Sequence, residues 1–232
     1  MQNMVIEATN LSKTYNPDTI PVKAIDGVSL KMERGEFAAL VGPSGSGKTT
    51  LLNLLGGLDK PDTGNIIVGG TDITQLGENA LVDFRLHNIG FIFQAYNLIP
   101  VLTAKENVEF IMLLQNQPKA QRDARVGALL KEVGLEDKVN TRPLQLSGGQ
   151  QQRVAVARAL ASKPQFVLAD EPTANLDSKS AFNLLDIMHK LNLEENITFI
   201  FSTHDQRVID RAQRVITLVD GRISSDTGII KK

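Results

Sequence analysis

The chain has 232 residues, of which 42% are hydrophobic, so it is long and apolar enough to bury the core of one α/β domain. Its 25 basic and 26 acidic residues nearly cancel to a net charge of −1, which excludes the strongly basic surface typical of proteins that bind nucleic acid. The absence of cysteine excludes disulfides, cysteine-based metal sites and cysteine catalysis.

The first predicted elements are β-strands. Alternating apolar and polar residues indicate strands at residues 4–8 and 22–32, and an apolar run indicates another at Phe37–Val41, with a turn at residues 33–36. Tyr15 lies beyond the first of these strands and is one of two tyrosines in the chain. Its flat ring suits stacking on an adenine base, and packing at the edge of the core is the alternative from the sequence alone.

A glycine-rich loop separates the third strand from a helix. Its sequence fits the P-loop pattern G-x-x-x-x-G-K-[ST], and its position between a strand and an apolar helix is the context that this pattern requires. In a P-loop the backbone N–H groups converge on phosphate, Lys48 reaches the β- and γ-phosphates, and Thr49 offers its hydroxyl to Mg²⁺. The residues predicted to contact ATP here are Gly42, Pro43, Ser44, Gly45, Ser46, Gly47, Lys48, Thr49 and Thr50.

Gln94 marks a change from strands to helices. It closes a strand predicted at residues 89–93, where its amide suits contact with water or Mg²⁺, although polar residues without a special role are also ordinary at strand ends. Thr103 and Glu106 then form the capping box of a helix, and a second helix is predicted near residues 119–133. This change from strand patterns to helix patterns indicates a helical insertion in the fold.

A further helix start has the features of an anion site. Residues 146–150 have the sequence Leu-Ser-Gly-Gly-Gln, in which Ser147 is a suitable N-cap, and residues 151–161 carry apolar side chains at helical spacing. A flexible turn is the alternative interpretation of Ser-Gly-Gly by itself. Because the chain has two phosphate-ready helix starts but one P-loop, a head-to-tail pairing of two chains would bring each Ser147 to the nucleotide of the other chain.

Two adjacent carboxylates follow a buried parallel strand predicted at residues 166–169. This places Asp170 at the carboxyl edge of the sheet beside the P-loop, where its oxygen suits Mg²⁺. Glu171 is suited to accept a proton from the attacking water or to orient it, because phosphoryl transfer depends mainly on positioning and charge stabilisation. The alternative for Asp170-Glu171-Pro172 is a solvated turn.

His204 follows the apolar segment 197–201, so it lies at the same edge and can donate toward a γ-phosphate. For a histidine taken by itself, a surface or packing role is commoner. That role is predicted for His87 and His189, which fall in helical segments without a neighbouring motif.

The P-loop, the segment 146–150 and the Asp170-Glu171 strand end together resemble the ATP-binding cassette family of transport ATPases, over nearly the whole chain. The resemblance implies an α/β fold with a P-loop NTPase core, an N-terminal antiparallel β subdomain and an inserted α-helical signature subdomain. The chain would be a single nucleotide-binding domain. Its core would comprise approximately residues 1–94 and 165–232. Its helical subdomain would comprise approximately residues 95–164.

The same resemblance implies roles for residues that chemistry alone leaves open. Gln94 resembles the Q-loop glutamine, which links the nucleotide to a transmembrane subunit. His204 resembles the switch histidine of the family, and Tyr15 resembles its adenine-stacking aromatic residue. Residues 175–177 resemble the D-loop, and the alternative is that Asp177 or Ser178 caps a helix predicted at residues 179–191. The implied catalytic residues are Lys48, Gln94, Glu171 and His204, and the implied Mg²⁺ ligands are Thr49, Gln94 and Asp170. The residues implied to meet the ATP of a second, head-to-tail copy are Ser147, Gly148, Gly149 and Gln150.

Residues 94–108 and 146–153 look most similar to the lipoprotein-releasing and macrolide-exporting branch of that family. This implies an ATPase that powers a membrane-embedded complex by nucleotide-driven dimer closure, with a permease subunit of few spans and a large extracytoplasmic domain as its partner. No apolar run approaches the ~18 residues of a membrane span, and residues 1–15 lack a signal-peptide pattern. We therefore expect a cytoplasmic protein, peripheral on the inner face of the membrane.

Other classes of cassette protein share parts of this pattern. A cell-division regulator that gates a wall hydrolase through a membrane partner has the same architecture, and the motifs do not separate it from a transporter ATPase. Cassette proteins of translation or DNA repair are disfavoured, because the chain has neither a second cassette nor a long coiled-coil insertion. A catalytically dead scaffold is disfavoured because Lys48, Asp170, Glu171 and His204 are all present.

Overall fold

The computed structural model describes residues 4–228, which form ten β-strands and seven α-helices. The strands are β1 Met4–Tyr15, β2 Val22–Glu33, β3 Phe37–Val41, β4 Thr63–Val68, β5 Thr71–Asp72, β6 Ile89–Ile92, β7 Phe166–Asp170, β8 Thr198–Ser202, β9 Arg214–Val219 and β10 Arg222–Asp226. The helices are α1 Lys48–Leu55, α2 Glu78–Asn88, α3 Ala104–Leu114, α4 Lys119–Glu132, α5 Gly148–Ala161, α6 Ser178–Glu195 and α7 Gln206–Ile209. Within residues 4–228, no helix combines the length and apolarity needed to cross a membrane.

The N-terminal sheet is antiparallel, with strand order β2-β1-β4-β5. Strands β1 and β2 pair along nearly their whole lengths, from Ile6 opposite Met32 to Thr14 opposite Lys23. Strand β1 therefore extends well beyond the predicted residues 4–8. Its second half contains register shifts that break the alternation of side chains, so backbone bonds to the neighbouring strands, and not its own pattern, hold it as a strand.

The second sheet has the order β10-β9-β3-β8-β7-β6, and its neighbouring strands are parallel except for the pair β9 and β10. Alternate residues of β3 face two different cores. Phe37 and Ala39 pack on the side of helices α3 to α6, whereas Ala38 and Leu40 pack on the side of the N-terminal sheet and α1. Covering on both faces explains the continuous apolar runs of the central strands. The carboxyl ends of the parallel strands lie at one edge, where ligands gather in such sheets.

Three helices, α3, α4 and α5, lie between β6 and β7 and pack on one another. The predicted capping box of α3 is confirmed: Glu106 N donates to Thr103 Oγ1 at 3.2 Å, and Thr103 N donates to Glu106 Oε2 at 2.8 Å. Helix α4 is followed by Gly134, whose φ of +64° suits the end of a helix. The predicted α/β fold, with its antiparallel N-terminal sheet and helical insertion, is confirmed, while the subdomain boundaries remain predictions.

Helix α6 begins at its N-cap Asp177, whose Oδ1 accepts from Ser180 N at 3.0 Å, so the predicted capping role is confirmed. The helix is longer than predicted because its last turns remain packed on the core through Leu191 and Asn192. His189 on this helix meets the Phe37 ring edge to face, with centroids 5.3 Å apart, and His87 is exposed on α2.

Candidate functional site

The P-loop joins β3 to α1 at the carboxyl edge of the parallel sheet. Two of its glycines have backbone conformations that exclude a side chain. Gly42 has a φ of +152°, and a Cβ there would lie 2.1 Å from the carbonyl oxygen of Leu218. Gly47 has a φ of +101°, and a Cβ there would lie 2.3 Å from the carbonyl oxygen of Ala24. Gly47 is also the N-cap of α1 and makes no side-chain cap, so the first N–H groups of the helix remain available to an anion.

Lys48 and Ser46 supply polar groups at this loop. The Lys48 ammonium donates to the carbonyl oxygens of Gly42 at 2.8 Å and Pro43 at 3.0 Å. The Ser46 hydroxyl is buried and has no hydrogen-bond partner within residues 4–228. A lysine and an unpaired hydroxyl beside a helix N-terminus match the donors that nucleotide phosphates require.

A cavity of about 530 Å³ opens beside the P-loop. Its lining residues are Tyr15, Val22, Lys23, Ala24, Ser44, Gly45, Gly47, Lys48, Thr49, Thr50, Asp170, Glu171, Asp220 and Gly221. We call it the nucleotide cavity, because its volume suits a nucleotide-sized ligand and it brings together the P-loop, the acidic pair and the predicted adenine-stacking ring.

Tyr15 ends β1 at the wall of this cavity and is 37% exposed. Its hydroxyl donates to Asp59 Oδ2 at 2.7 Å, and the Lys13 ammonium lies 5.4 Å from its ring centroid. Burial and the bond to Asp59 raise the pKa of Tyr15. Burial alone would raise the pKa of Asp59, but hydrogen bonds from Lys13, Tyr15 and the Lys60 amide outweigh it and lower that pKa. The ring is thus anchored through its hydroxyl and still presents surface to the cavity.

Asp170 connects the P-loop to the end of β7. The Thr49 hydroxyl donates to Asp170 Oδ2 at 3.0 Å. Ser202, the last residue of β8, is fully buried and donates to the other oxygen, Oδ1, at 2.5 Å. Hydroxyl groups from two different elements therefore orient the two oxygens of one carboxylate.

Glu171 follows with a φ of +47°, in the left-handed region that few residues other than glycine adopt. Its N–H donates to Ser202 Oγ at 3.0 Å and to Ser202 O at 3.2 Å. One of its carboxylate oxygens, Oε1, lies 2.8 Å from Nδ1 of His204. A carboxylate and an imidazole are therefore paired at the edge of the nucleotide cavity, and His204 reaches the site through Glu171, because it is not among the lining residues described above.

The oxygen groups at this edge fit a magnesium ion. Thr49 and Asp170 offer a hydroxyl and a carboxylate, both hard oxygen ligands, within hydrogen-bond distance of each other. Proteins usually bind Mg²⁺ through one or two carboxylates, and water and substrate phosphate complete its shell, so a small protein ligand set suits it. Gln94, the third predicted ligand, lies just beyond β6 at the same edge, where its carbonyl accepts from Asn175 Nδ2 at 3.0 Å. Its side chain does not line the nucleotide cavity.

Arg158 of α5 holds the loop that follows Gln94. Its guanidinium donates to the carbonyl oxygens of Tyr96 at 2.8 Å and Asn97 at 2.5 Å. Both loop residues have positive φ, +58° and +49°. Burial lowers the pKa of Arg158. The helix that begins at the Leu-Ser-Gly-Gly-Gln segment is therefore bonded directly to the loop after Gln94.

Ser147 is the N-cap of α5, as predicted. Its N–H donates to Gln150 Oε1 at 2.8 Å, and Gln150 N donates to Ser147 Oγ at 3.3 Å, which completes a second capping box. Ser147 and Gly149 line a different cavity, of about 250 Å³, together with Arg153 and Lys179. Among the described residues none lines both this cavity and the nucleotide cavity, so Ser147 and Gly149 share no cavity with the P-loop of their own chain.

An apolar groove of about 440 Å³ lies between α2, β6, α3 and α5. Two of its lining residues, Leu58 and Val82, are exposed apolar side chains, and Arg158 forms part of its wall. The remaining lining residues are Arg85, Leu86, Ile89, Gly90, Phe91, Phe93, Asn97, Ile99, Phe110, Ile111, Ala159 and Ser162. The groove therefore adjoins the loop that follows Gln94.

Two contributors to the site, Ser202 and Arg158, carry only a weak signal in the sequence. Each is a polar residue in an apolar segment, and such a residue requires a buried hydrogen-bond partner. The partners of Ser202 are 31 and 32 residues away, and those of Arg158 are 61 and 62 residues away. The pattern signals that a partner exists, but the identity of the partner follows only from the fold.

Comparison with known proteins gives consistent matches. The family model described as "ABC transporter" matches residues 25–174. The lipoprotein-releasing system ATP-binding protein LolD 1 of Rhodopseudomonas palustris is 46% identical over 222 residues, which cover 95% of this chain and 98% of the relative. The macrolide export ATP-binding/permease protein MacB of Hyphomonas neptunium is 46% identical over 224 residues, which cover 97% of this chain and 35% of the relative. A solved dimeric structure of the ATP-binding cassette MJ0796, in a post-hydrolysis state with ADP and Pi, is 40% identical with a TM-score of 0.88, over 98% of this chain and 99% of that one.

Proposed function

This chain belongs to the ABC transporter family of ATPases, and we propose that it is the ATP-hydrolysing subunit of a membrane-embedded complex for export, lipoprotein release or mechanical transmission. One observation carries the proposal. The P-loop hydroxyl of Thr49 bonds to Asp170 in the wall of one cavity, and the next residue of that wall, Glu171, is paired with His204 at the edge of the cavity. This arrangement places a phosphate loop, a metal-binding carboxylate and a group that can activate water side by side.

In the proposed reaction ATP lies in the nucleotide cavity. The adenine stacks on Tyr15, and the phosphates meet the N–H groups at the start of α1. Lys48 exchanges its bonds to the carbonyls of Gly42 and Pro43 for bonds to the β- and γ-phosphates. The exchange is favourable because a charged phosphate oxygen is a stronger acceptor than a neutral carbonyl.

The two carboxylates of the acidic pair, Asp170 and Glu171, have different roles in the reaction. Asp170 and Thr49 would hold Mg²⁺, joined by Gln94 once its side chain turns toward them, and the ion would neutralise charge that develops on the γ-phosphate oxygens. Glu171 orients the attacking water and accepts its proton, while His204 keeps the Glu171 carboxylate in place and donates toward the γ-phosphate. The products are ADP and inorganic phosphate.

Closure of two copies completes the site. The signature residues Ser147 and Gly149 line a cavity apart from the nucleotide cavity of their own chain, and α5 presents an N-terminus that favours an anion. In a head-to-tail pair these residues cover the γ-phosphate bound to the other copy. ATP then acts as part of the interface, and hydrolysis allows the pair to reopen.

The membrane partner is a permease subunit of few spans with a large extracytoplasmic domain, and the chain is peripheral on the cytoplasmic face of the membrane. The apolar groove suits an apolar segment of that partner. It adjoins the loop after Gln94, and Arg158 of α5 is hydrogen-bonded to that loop. Nucleotide-driven movement of α5 would therefore change the position of the groove wall. The names of the relatives support export or lipoprotein release as the work performed.

The test combines hydrolysis with capture of the partner. We expect Glu171→Gln to bind ATP but to lose about 100-fold or more in hydrolysis, because the group that takes the proton is removed. Glu194→Gln, on the exposed face of α6, is the matched control and should hydrolyse ATP normally. Glu171→Gln activity at the wild-type rate would eliminate the proposed role of Glu171.

The tagged Glu171→Gln chain, loaded with ATP and Mg²⁺, is then recovered from detergent-solubilised native membranes and its partners are identified by mass spectrometry. Recovery of a few-span protein with a large extracytoplasmic domain supports the proposal. A membrane protein that also binds a wall hydrolase would favour the cell-division alternative, and recovery of soluble proteins alone would contradict a role in a membrane complex.

A further inference from the structure

Ser202 is a buried hydroxyl at the end of an apolar strand. All residues of β8 are buried, and Ser202 is 0% exposed. A buried hydroxyl destabilises the fold unless it is hydrogen-bonded. The groups to which it bonds therefore indicate its structural role. In the parallel register Ser202 lies beside Asp170 of β7 and Leu40 of β3. It therefore stands between the strand that carries the acidic pair and the strand that leads into the P-loop.

The Ser202 hydroxyl contacts both members of the acidic pair. It donates to Asp170 Oδ1 at 2.5 Å and accepts from the N–H of Glu171 at 3.0 Å. A serine hydroxyl has one proton, so donation to Asp170 leaves none for the substrate. Ser202 therefore acts through these two residues and does not touch the reacting atoms.

For Asp170 the consequence is a fixed carboxylate plane. The χ2 torsion of aspartate has broad, weakly preferred wells, so a carboxylate held at one oxygen alone retains rotational freedom. Asp170 is held at both, by Thr49 at Oδ2 and by Ser202 at Oδ1. A bond from a hydroxyl to a carboxylate is charge-assisted and stronger than a bond between neutral groups, which strengthens this orientation.

For Glu171 the consequence is a fixed backbone. Its φ of +47° is unfavourable for a residue with a Cβ, and such a conformation persists only when surrounding contacts impose it. The Glu171 N–H is bonded to both the hydroxyl and the carbonyl of Ser202. These bonds aim the Glu171 side chain toward His204, with which it is paired.

We propose that Ser202 is a positioning residue for ATP hydrolysis, which fixes both the carboxylate plane of Asp170 and the backbone from which Glu171 reaches the attacking water. The inference rests on the proposed function, in which Asp170 holds Mg²⁺ and Glu171 activates water. Removal of the hydroxyl should weaken metal binding and slow hydrolysis. ATP binding without metal should persist, because Tyr15 and the P-loop carry it.

Three variants of β8 test this role. Ser202→Ala removes the hydroxyl, Ser202→Thr retains it, and Thr198→Val is the matched control. Thr198 is also 0% exposed and lies at the other end of β8, where its hydroxyl accepts from Gly35 N and donates to Glu33 O, both at 2.9 Å. Loss of that hydroxyl disturbs the same strand without touching the acidic pair.

Three measurements are made on the full chain. Mn²⁺ affinity is measured by electron paramagnetic resonance with a non-hydrolysable ATP analogue, hydrolysis is measured as a function of Mg²⁺, and thermal unfolding is measured without nucleotide. We expect Ser202→Ala to lose about tenfold in both Mn²⁺ affinity and kcat, as is typical when a group that orients a metal ligand is removed. Ser202→Thr should recover most of both, and Thr198→Val should lower thermal stability alone.

Wild-type Mn²⁺ affinity and kcat in Ser202→Ala would overturn the proposal, as would equal losses in Thr198→Val. If Ser202→Ala does not fold, Ser202→Cys keeps a side chain of similar volume with a much weaker donor, and the same losses are expected of it. Failure of the proposed function gives a different result, because Glu171→Gln would then hydrolyse ATP at the wild-type rate whatever Ser202 does.

Discussion

Tyr15 presents its ring to the nucleotide cavity while its hydroxyl is held outside it. Asp59 accepts from the hydroxyl, and Asp59 is in turn bonded to Lys13. In the proposed function the ring is thus oriented before the adenine base binds, which would lower the entropy lost on binding. The same principle governs Asp170, whose oxygens are held by Thr49 and Ser202.

Variants of Tyr15 separate the ring from the hydroxyl. We expect Tyr15→Ala to weaken ATP binding about tenfold, since stacking of a base on an aromatic ring contributes roughly 1–3 kcal/mol. Tyr15→Phe keeps the ring but loses the bond to Asp59, so its effect should be about twofold. The affinity for ATP is measured by fluorescence titration. Equal affinities of Tyr15→Ala and the wild type would show that Tyr15 packs at the edge of the core without stacking on the base.

At the scale of elements, Arg214 joins strands of both sheets. From β9 it donates to Asp226 of β10 through Nε at 2.9 Å and Nη2 at 2.6 Å, and to Glu36 at 2.8 Å. It also donates to the carbonyl oxygen of Lys31 in β2 at 2.8 Å. The bonds to Asp226 and Glu36 outweigh burial and raise the pKa of Arg214. Because Glu36 is only 4% exposed, its carboxylate depends on this cation.

Removal of that cation should destabilise the fold. Arg214→Met leaves the Glu36 carboxylate buried without its charge partner, and we expect a loss of about 3 kcal/mol in the free energy of unfolding. The double variant Arg214→Met, Glu36→Gln should recover part of that loss, because it removes the unpaired charge. Urea unfolding measures both. If the two substitutions destabilise additively, the ion pair does not link these elements.

The second ion pair of Arg214, with Asp226, makes stability depend on pH. The bond from Arg214 lowers the pKa of Asp226, and burial opposes that shift. A carboxyl with a lower pKa in the folded state contributes stability that is present above its unfolded pKa of about 3.9 and is lost as the pH falls through the folded value. The difference in unfolding free energy between wild type and Arg214→Met should therefore shrink from about pH 7 to about pH 2. Urea unfolding at both pH values tests this, and an unchanged difference would contradict it.

At the scale of the whole molecule, the parallel sheet lies between two cores and gathers the site at one edge. One core contains the N-terminal sheet and α1, and the other contains the inserted helices. The P-loop lines the nucleotide cavity, whereas Ser147 and Gly149 of the signature segment line a separate cavity. A second copy is the simplest means of bringing them together.

Pairing is tested in the Glu171→Gln background, in which ATP is retained. We expect this variant to become a dimer with ATP and Mg²⁺, and the added substitution Ser147→Glu to prevent dimerisation by placing a negative charge against the phosphates of the other copy. Thr103→Glu in the same background is the matched control, because it also replaces a helix N-cap with glutamate. Light scattering after size-exclusion chromatography measures the mass. A dimer of the Ser147→Glu variant would refute the head-to-tail contact.

The sequence alone determined the features that depend on neighbours along the chain. The P-loop motif places its glycines, Lys48 and Thr49 within eight consecutive residues, and the capping box of α3 requires Thr103 and Glu106 three residues apart. Both can therefore be recognised from spacing in the sequence. Apolar runs likewise identified the buried parallel strands. The family resemblance followed from such local motifs, and the comparisons confirm it.

Tertiary structure alone decided which distant groups meet. Strand pairing places Ser202 beside Asp170, helix packing brings Arg158 to the loop after Gln94, and the full length of β1 depends on backbone bonds to β2 and β4. Such contacts arise from hydrogen bonds and packing between segments far apart in the chain, and a hydroxyl or guanidinium in an apolar run does not specify its partner. Spacing along the chain therefore identified the chemical groups, and the packed sheet determined which of them act together.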